Sequence, residues 1–147
     1  MHWRILLPLT LTLLFVFACS TAPVRTGDDG LAAQGYDVVA YFTEDRAVEG
    51  SPEYAHQWRG ATWWFTSGEH RERFAGDPER YAPAYGGWCA WALTEGRLAA
   101  GDPEYWAIHR DTLYFNCNQA AQDNWDADRD GNIERADEYW PDIASGR

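Results

Sequence analysis

Two cysteines, Cys89 and Cys117, and three histidines, His56, His70 and His109, are the side chains here best suited to soft-metal or redox chemistry. Thiolates and imidazoles are the ligands that select soft ions such as Cu(I). A thiolate is also the species that attacks disulfides, and its availability follows its pKa. Cys117 follows Cys89 by 28 positions, and both lie in segments that read as extended. A disulfide, a pair of metal ligands and a redox couple all remain open for them. None of the five residues lies at a tight local spacing, so the fold must assemble any site they share. Gly86-Gly87 just before Cys89 would let a ligand or partner backbone come close. The plainer alternatives are a buried, inert Cys89 and a solvated His70 on a polar helix face.

A second constellation is local. Asp126, Asp128 and Asp130 alternate, Gly131 and Asn132 follow, and Asp137 comes last. This spacing matches an EF-hand loop at its first, third, fifth, sixth and twelfth positions, with Asn132 offering a backbone carbonyl to calcium. Against calcium, Asp137 is shorter than the usual glutamate, Pro141 cuts the exit helix short, and there is no partner hand. An acidic, solvated turn is the alternative.

The opening of the chain carries an address. Met1 to Arg4 is weakly basic, Ile5 to Phe17 is almost wholly apolar, and Ala18-Cys19 follows. That is the layout of a signal peptide. The run falls short of the roughly 20 residues a spanning helix needs, and Pro8 interrupts it. Cys19 after a small residue resembles the lipobox of bacterial lipoproteins, which implies lipidation of Cys19 and a membrane reached through lipid. Ser20 resembles outer-membrane sorting, with the domain facing the periplasm. The expected division is a signal peptide over 1–18, a lipidated tether over 19–30, one domain over 31–141 and a tail over 142–147. Removing 1–18 takes one arginine and no acid, so the formal charge moves from −11 to −12. That sign argues against nucleic acid and against an anionic membrane surface as partners.

All twelve basic residues are arginine, which excludes lysine-dependent chemistry. No Gly-rich phosphate loop, serine elbow or Cys-x-x-Cys is present, and no carboxylate pair stands out, so a catalytic role is the weaker expectation. Nine Trp, eight Tyr and six Phe supply a core with few side chains.

The elements that must position these residues are short. Tyr54–Trp58 and Ala61–Phe65 flank Arg59-Gly60 as a hairpin, and Trp106–Ile108 with Leu113–Phe115 form a second candidate. Ser67 fits an N-cap for a helix to about Ala75, with Phe74 as its core anchor. Gln119–Trp125 reads as a helix, and a last turn or two covers Ile133–Tyr139, stopped by Pro141. No internal repeat is expected. The class is a small single α+β domain with β-hairpins and short helices.

Tyr54-Ala-His56, Gly60 to Ser67, Phe74 and Asp77 to Tyr81 resemble the YHS domain family. Gly35 to Phe42 and Tyr85-Gly-Gly-Trp-Cys89-Ala90 are similar to exported bacterial YHS domain-containing (seleno)proteins. The resemblance covers roughly residues 31 to 141. It implies a treble-clef-like core of the kind found beside copper and heavy-metal transport. Metal-associated members carry an early Cys and a later Cys-x-x-x-Cys, positions that fall near Asp37 and on Thr66 and His70 here. This chain therefore lacks those thiols. Cys89 looks like the position where some exported members place selenocysteine, and the similar proteins often carry Tyr where Cys117 stands. The resulting expectation is an envelope lipoprotein with a copper-type or thiol-based binding module. The alternatives are a structural lipoprotein with a calcium loop, and a thiol oxidoreductase using Cys89.

Overall fold

The structure is a computed structural model that describes residues 23–146. Cys19 and the leader lie outside the described residues. The class is α+β, a single domain built on two separate antiparallel hairpins.

In the first hairpin, β1 (Ser51–Trp58) pairs with β2 (Ala61–Phe65). Arg59 and Gly60 turn the chain with φ of 49° and 72°. Two consecutive left-handed residues give the twist that a two-residue hairpin loop needs. Helix α2 (Gly68–Gly76) follows, and the Ser67 side chain accepts from His70 N, capping it as expected. Two short helices, α1 (Ala40–Thr43) and α3 (Pro78–Tyr81), flank this unit.

The chain then repeats itself, which corrects the expectation of no internal repeat. β3 (Asp102–His109), β4 (Thr112–Asn116) and α5 (Gln119–Ala127) have boundaries displaced by 51 positions from β1, β2 and α2, without exception. The ladder irregularity falls between Ser51 and Ala55 in one hairpin and between Asp102 and Trp106 in the other. Arg110 and Asp111 repeat the left-handed turn, and Asn118 repeats the cap by accepting from Ala121 N. Residues Asp77 and Asp128 close the two helices with the same backbone angles, φ −154° and ψ 72° at Asp77 and φ −155° and ψ 71° at Asp128. Before each hairpin a left-handed run leads into a short helix: Ala33-Gln34-Gly35 before α1, and Tyr85-Gly86-Gly87 before α4 (Ala90–Leu93). In this stretch the displacement is 52, returning to 51 before the hairpin: Asp37 N donates to Val48 O (2.8 Å) and Cys89 N to Ala99 O (2.9 Å), donors 52 apart and acceptors 51 apart.

The core shows the same duplication. Phe74 and Trp125, both fully buried, are equivalent anchors. Phe74 stacks on Trp63 at 5.0 Å between centroids, and Trp125 stacks on Tyr114 at 4.8 Å. Strand β4 joins the halves: Leu113 and Phe115 enter the first core, and Tyr114 enters the second. A strand buried on both faces needs apolar residues at successive positions, and β4 has them.

Two expected boundaries change. The final helix, α6 (Arg129–Ala144), has 16 residues and runs through Pro141. Pro141 forfeits only the bond to the Asp137 carbonyl, and Ile133, Ala136, Trp140 and Ile143 pack the helix onto the second core. The described part of the expected tether is also bound rather than free. Arg25 N donates to Gly86 O at 2.8 Å, Thr26 bridges to Ala32, and Val24 packs on the first core.

Candidate functional site

Each half brings three positions together at one point: a residue before its short helix, the residue before its hairpin helix's N-cap, and one in that helix's first turn. In the first half these are Asp37, Thr66 and His70. Asp37 is fully buried. Its Oδ1 accepts from Val39 N (2.9 Å) and Ala40 N (3.2 Å). Its Oδ2 accepts from Thr66 N (2.9 Å), Thr66 Oγ1 (2.8 Å) and His70 Nδ1 (2.6 Å). The carboxylate is saturated with donors, which is how a charge is tolerated inside a domain. His70 is mostly buried, with 12% of its side chain exposed, and its Nε2 lies 3.4 Å from Thr43 Oγ1. It is therefore part of a closed structural lock, not a solvated residue and not a partner of the cysteines.

In the second half the equivalent positions are Cys89, Cys117 and Ala121. Both cysteines are free thiols, Cys89 buried and Cys117 half-buried, and they pack in one cluster with Ala92 and Ala121. The two thiols are close enough to influence each other, and the backbone N–H groups of Ala92 and Cys117 face the Cys89 sulfur. The Cys117 N–H repeats what the Thr66 N–H does for Asp37. Burial pushes the Cys89 thiol up to about 11, the Cys117 sulfur pushes it the same way, and the two backbone donors oppose them.

Asn116 frames this pair. It stands where the first half has Phe65, and it is fully buried. Its Oδ1 accepts from Trp91 N at 2.9 Å and lies 3.9 Å from Cys89 Sγ, and its Nδ2 donates to Gln122 Oε1 at 3.0 Å. Gln122 Nε2 donates in turn to Asp126 Oδ1 at 3.1 Å. Asn116 Oδ1 takes the Trp91 N–H that corresponds to the Val39 N–H bound by Asp37 in the first half. Arg97, exposed and paired with Glu95, is near enough to both thiols to feel their charge.

The remaining candidates separate. His56 sits edge-on to Phe74 at 5.9 Å, in the first core. His109 Nε2 donates to Asp130 Oδ1 at 2.7 Å, beside an Arg110–Asp130 pair at 2.9 Å. His109 holds the exposed Asp130 carboxyl below the usual range.

The structure does not bring the residues of the expected calcium loop together. Asp126 belongs to α5 and pairs with Arg129, while Asp128 caps α6 by accepting from Gly131 N. From Arg129 onward the chain is helix, so alternate side chains diverge instead of converging on one ion. Asn132 is buried, donating to the Asn124 and Trp125 carbonyls, and Asp137 accepts from Tyr85 OH at 2.9 Å. The α5–α6 junction copies that between α2 and α3, so the acidic spacing is a helix cap.

Asp37, Thr66, Asn116 and Gln122 were not anticipated as members of either site. One signal was present: Pro-Glu-Tyr occurs at 52–54 and again at 103–105, with arginine at each turn, Arg59 and Arg110. Sliding the chain by 51 would have placed Thr66 over Cys117. Among the described residues no group of three or more His, Cys, Asp or Glu side chains is arranged to hold a metal ion. No protein-family model matches the chain, and no curated protein or solved structure is detectably similar to it.

Proposed function

We propose that this chain is an exported, lipid-anchored binding module of the YHS type that takes up a soft metal ion, Cu(I), through Cys89 and Cys117. The observation that carries the reading is the packing of these two free thiols in one cluster of the second half. Two thiolates suit Cu(I), a soft ion. They do not suit structural zinc, which takes four ligands, because Ala121 fills the third position. Ion uptake must displace protons from the thiols, Cys89's above all, so affinity rises with pH. Arg97 offsets part of the negative charge that two thiolates bring. Lipidation of Cys19 would place the module at the outer membrane, facing the periplasm.

The test is a Cu(I) titration of the full chain carrying Cys19→Ser, against a competing chromophoric chelator. The reading expects one ion per chain, lost in both Cys89→Ser and Cys117→Ser and retained in His56→Ala. Retention of the ion in both cysteine variants would overturn it.

A further inference from the structure

Cys89 and Cys117 pack in one cluster but differ in burial. Cys89 is fully buried, whereas Cys117, just ahead of α5, is only partly buried. An external disulfide can approach Cys117 and cannot approach Cys89. We propose that the pair is a disulfide-exchange couple in which Cys117 attacks an external disulfide and Cys89 resolves the mixed disulfide. This deepens the reading of the same site as a thiolate centre, because a closed disulfide has no thiolate to offer a metal.

The step balances without a further reactant. The Cys117 thiolate attacks one sulfur of R–S–S–R, forming Cys117–S–S–R and expelling the first thiolate, which takes up a proton. Cys89 then gives up its proton, its sulfur attacks Cys117 Sγ, and the second thiolate leaves and is protonated. The two cysteines lose two electrons and two protons, and the external disulfide becomes two thiols. Thiolate attack with expulsion of a thiolate is the general course of such exchange.

The surroundings of Cys89 fit the second step. The N–H groups of Ala92 and Cys117 point at its sulfur, so donors stand ready for the thiolate as it forms. Asn116 Oδ1 lies 3.9 Å from that sulfur and is itself held by Trp91 N, which keeps Cys89 in place against Cys117. Closing the pair requires the two thiols, packed in one cluster, to turn towards each other until their sulfurs reach a bond of about 2.05 Å. The first half shows what the same frame does without sulfur: Asp37 and Thr66 close it with hydrogen bonds.

The probe is glutathione disulfide, added to the reduced full chain carrying Cys19→Ser, with acid quenching, alkylation and peptide mapping by mass. The expected course is a transient glutathione adduct on Cys117, followed by a Cys89–Cys117 crosslink. Cys89→Ser should stop at the Cys117 adduct, and Cys117→Ser should react at least about 100-fold more slowly. A first adduct on Cys89, a lasting adduct in the wild-type pair, or survival of both thiols would each overturn the proposal. The wild-type map alone decides it, should either variant fail to fold. Cu(I) titration of the reduced protein separates the two readings. A crosslink without metal uptake leaves exchange standing and removes the metal, whereas uptake with unreactive thiols does the reverse.

Discussion

Asp37 and Cys89 hold equivalent positions and have opposite fates. Asp37 is a buried charge whose lone pairs are all spoken for, so its removal orphans donors on three segments at once. Asp37→Ala should cost about 3–5 kcal/mol in urea unfolding, because a buried, fully paired charge is expensive to break up. Loss of less than about 1 kcal/mol would mean the lock is ornamental. Cys89 is raised by burial to about 11. The unfolded chain therefore releases this proton at lower pH than the folded one. Cys89 costs nothing below about pH 8.5, and stability should fall as pH climbs from there towards 11, by about 3 kcal/mol at most. Tyrosine ionisation overlaps this window, so the measure is the difference between wild type and Cys89→Ala across pH 8 to 10.5. Parallel curves would contradict the burial of this thiol. The sequence showed every one of these side chains but not their company. His70 reads as exposed because its neighbours in α2 are polar, and its partner Asp37 lies 33 positions away.

The hairpins and the helices α2 and α5 were legible because their signals are local: turn residues, a capping Ser or Asn, and an apolar anchor one or two turns later. Helix α6 was not. The alternating aspartates Asp126, Asp128 and Asp130 that lead into it look like cation ligands, and Pro141 looks like a stop. What decides the matter is tertiary: Ile133, Ala136, Trp140 and Ile143 bury one stripe of α6 against the second core. Asp128 is then a cap, and Asp128→Ala should cost about 1 kcal/mol in thermal or urea unfolding. The loss should be the same with and without millimolar calcium. A calcium-dependent difference would favour the calcium loop over the cap.

At the scale of the molecule, two copies of one unit have kept their backbone and exchanged their chemistry. Gly50 and Gly101, again 51 positions apart, mark the shared backbone: a Cβ would collide with Trp64 main chain at the first and with the Gly87 carbonyl at the second. Gly50→Ala and Gly101→Ala should each destabilise the domain by about 1–3 kcal/mol, as overpacking does. If both were neutral, the close approach would not be a requirement of the unit. The duplication escaped the sequence reading because packing preserves the kind of residue and not its identity. Trp63 and Phe74 of one core answer to Tyr114 and Trp125 of the other. One copy is closed by Asp37, Thr66 and His70, and the other is left with two thiols. The most direct measurement of that difference is Cu(I) stoichiometry in the Cys19→Ser chain, compared across Cys89→Ser, Cys117→Ser and His70→Ala. One ion per chain, lost with either cysteine and kept with His70→Ala, is the predicted result. No uptake by the reduced chain, or uptake that depends on His70 and not on the cysteines, would contradict it.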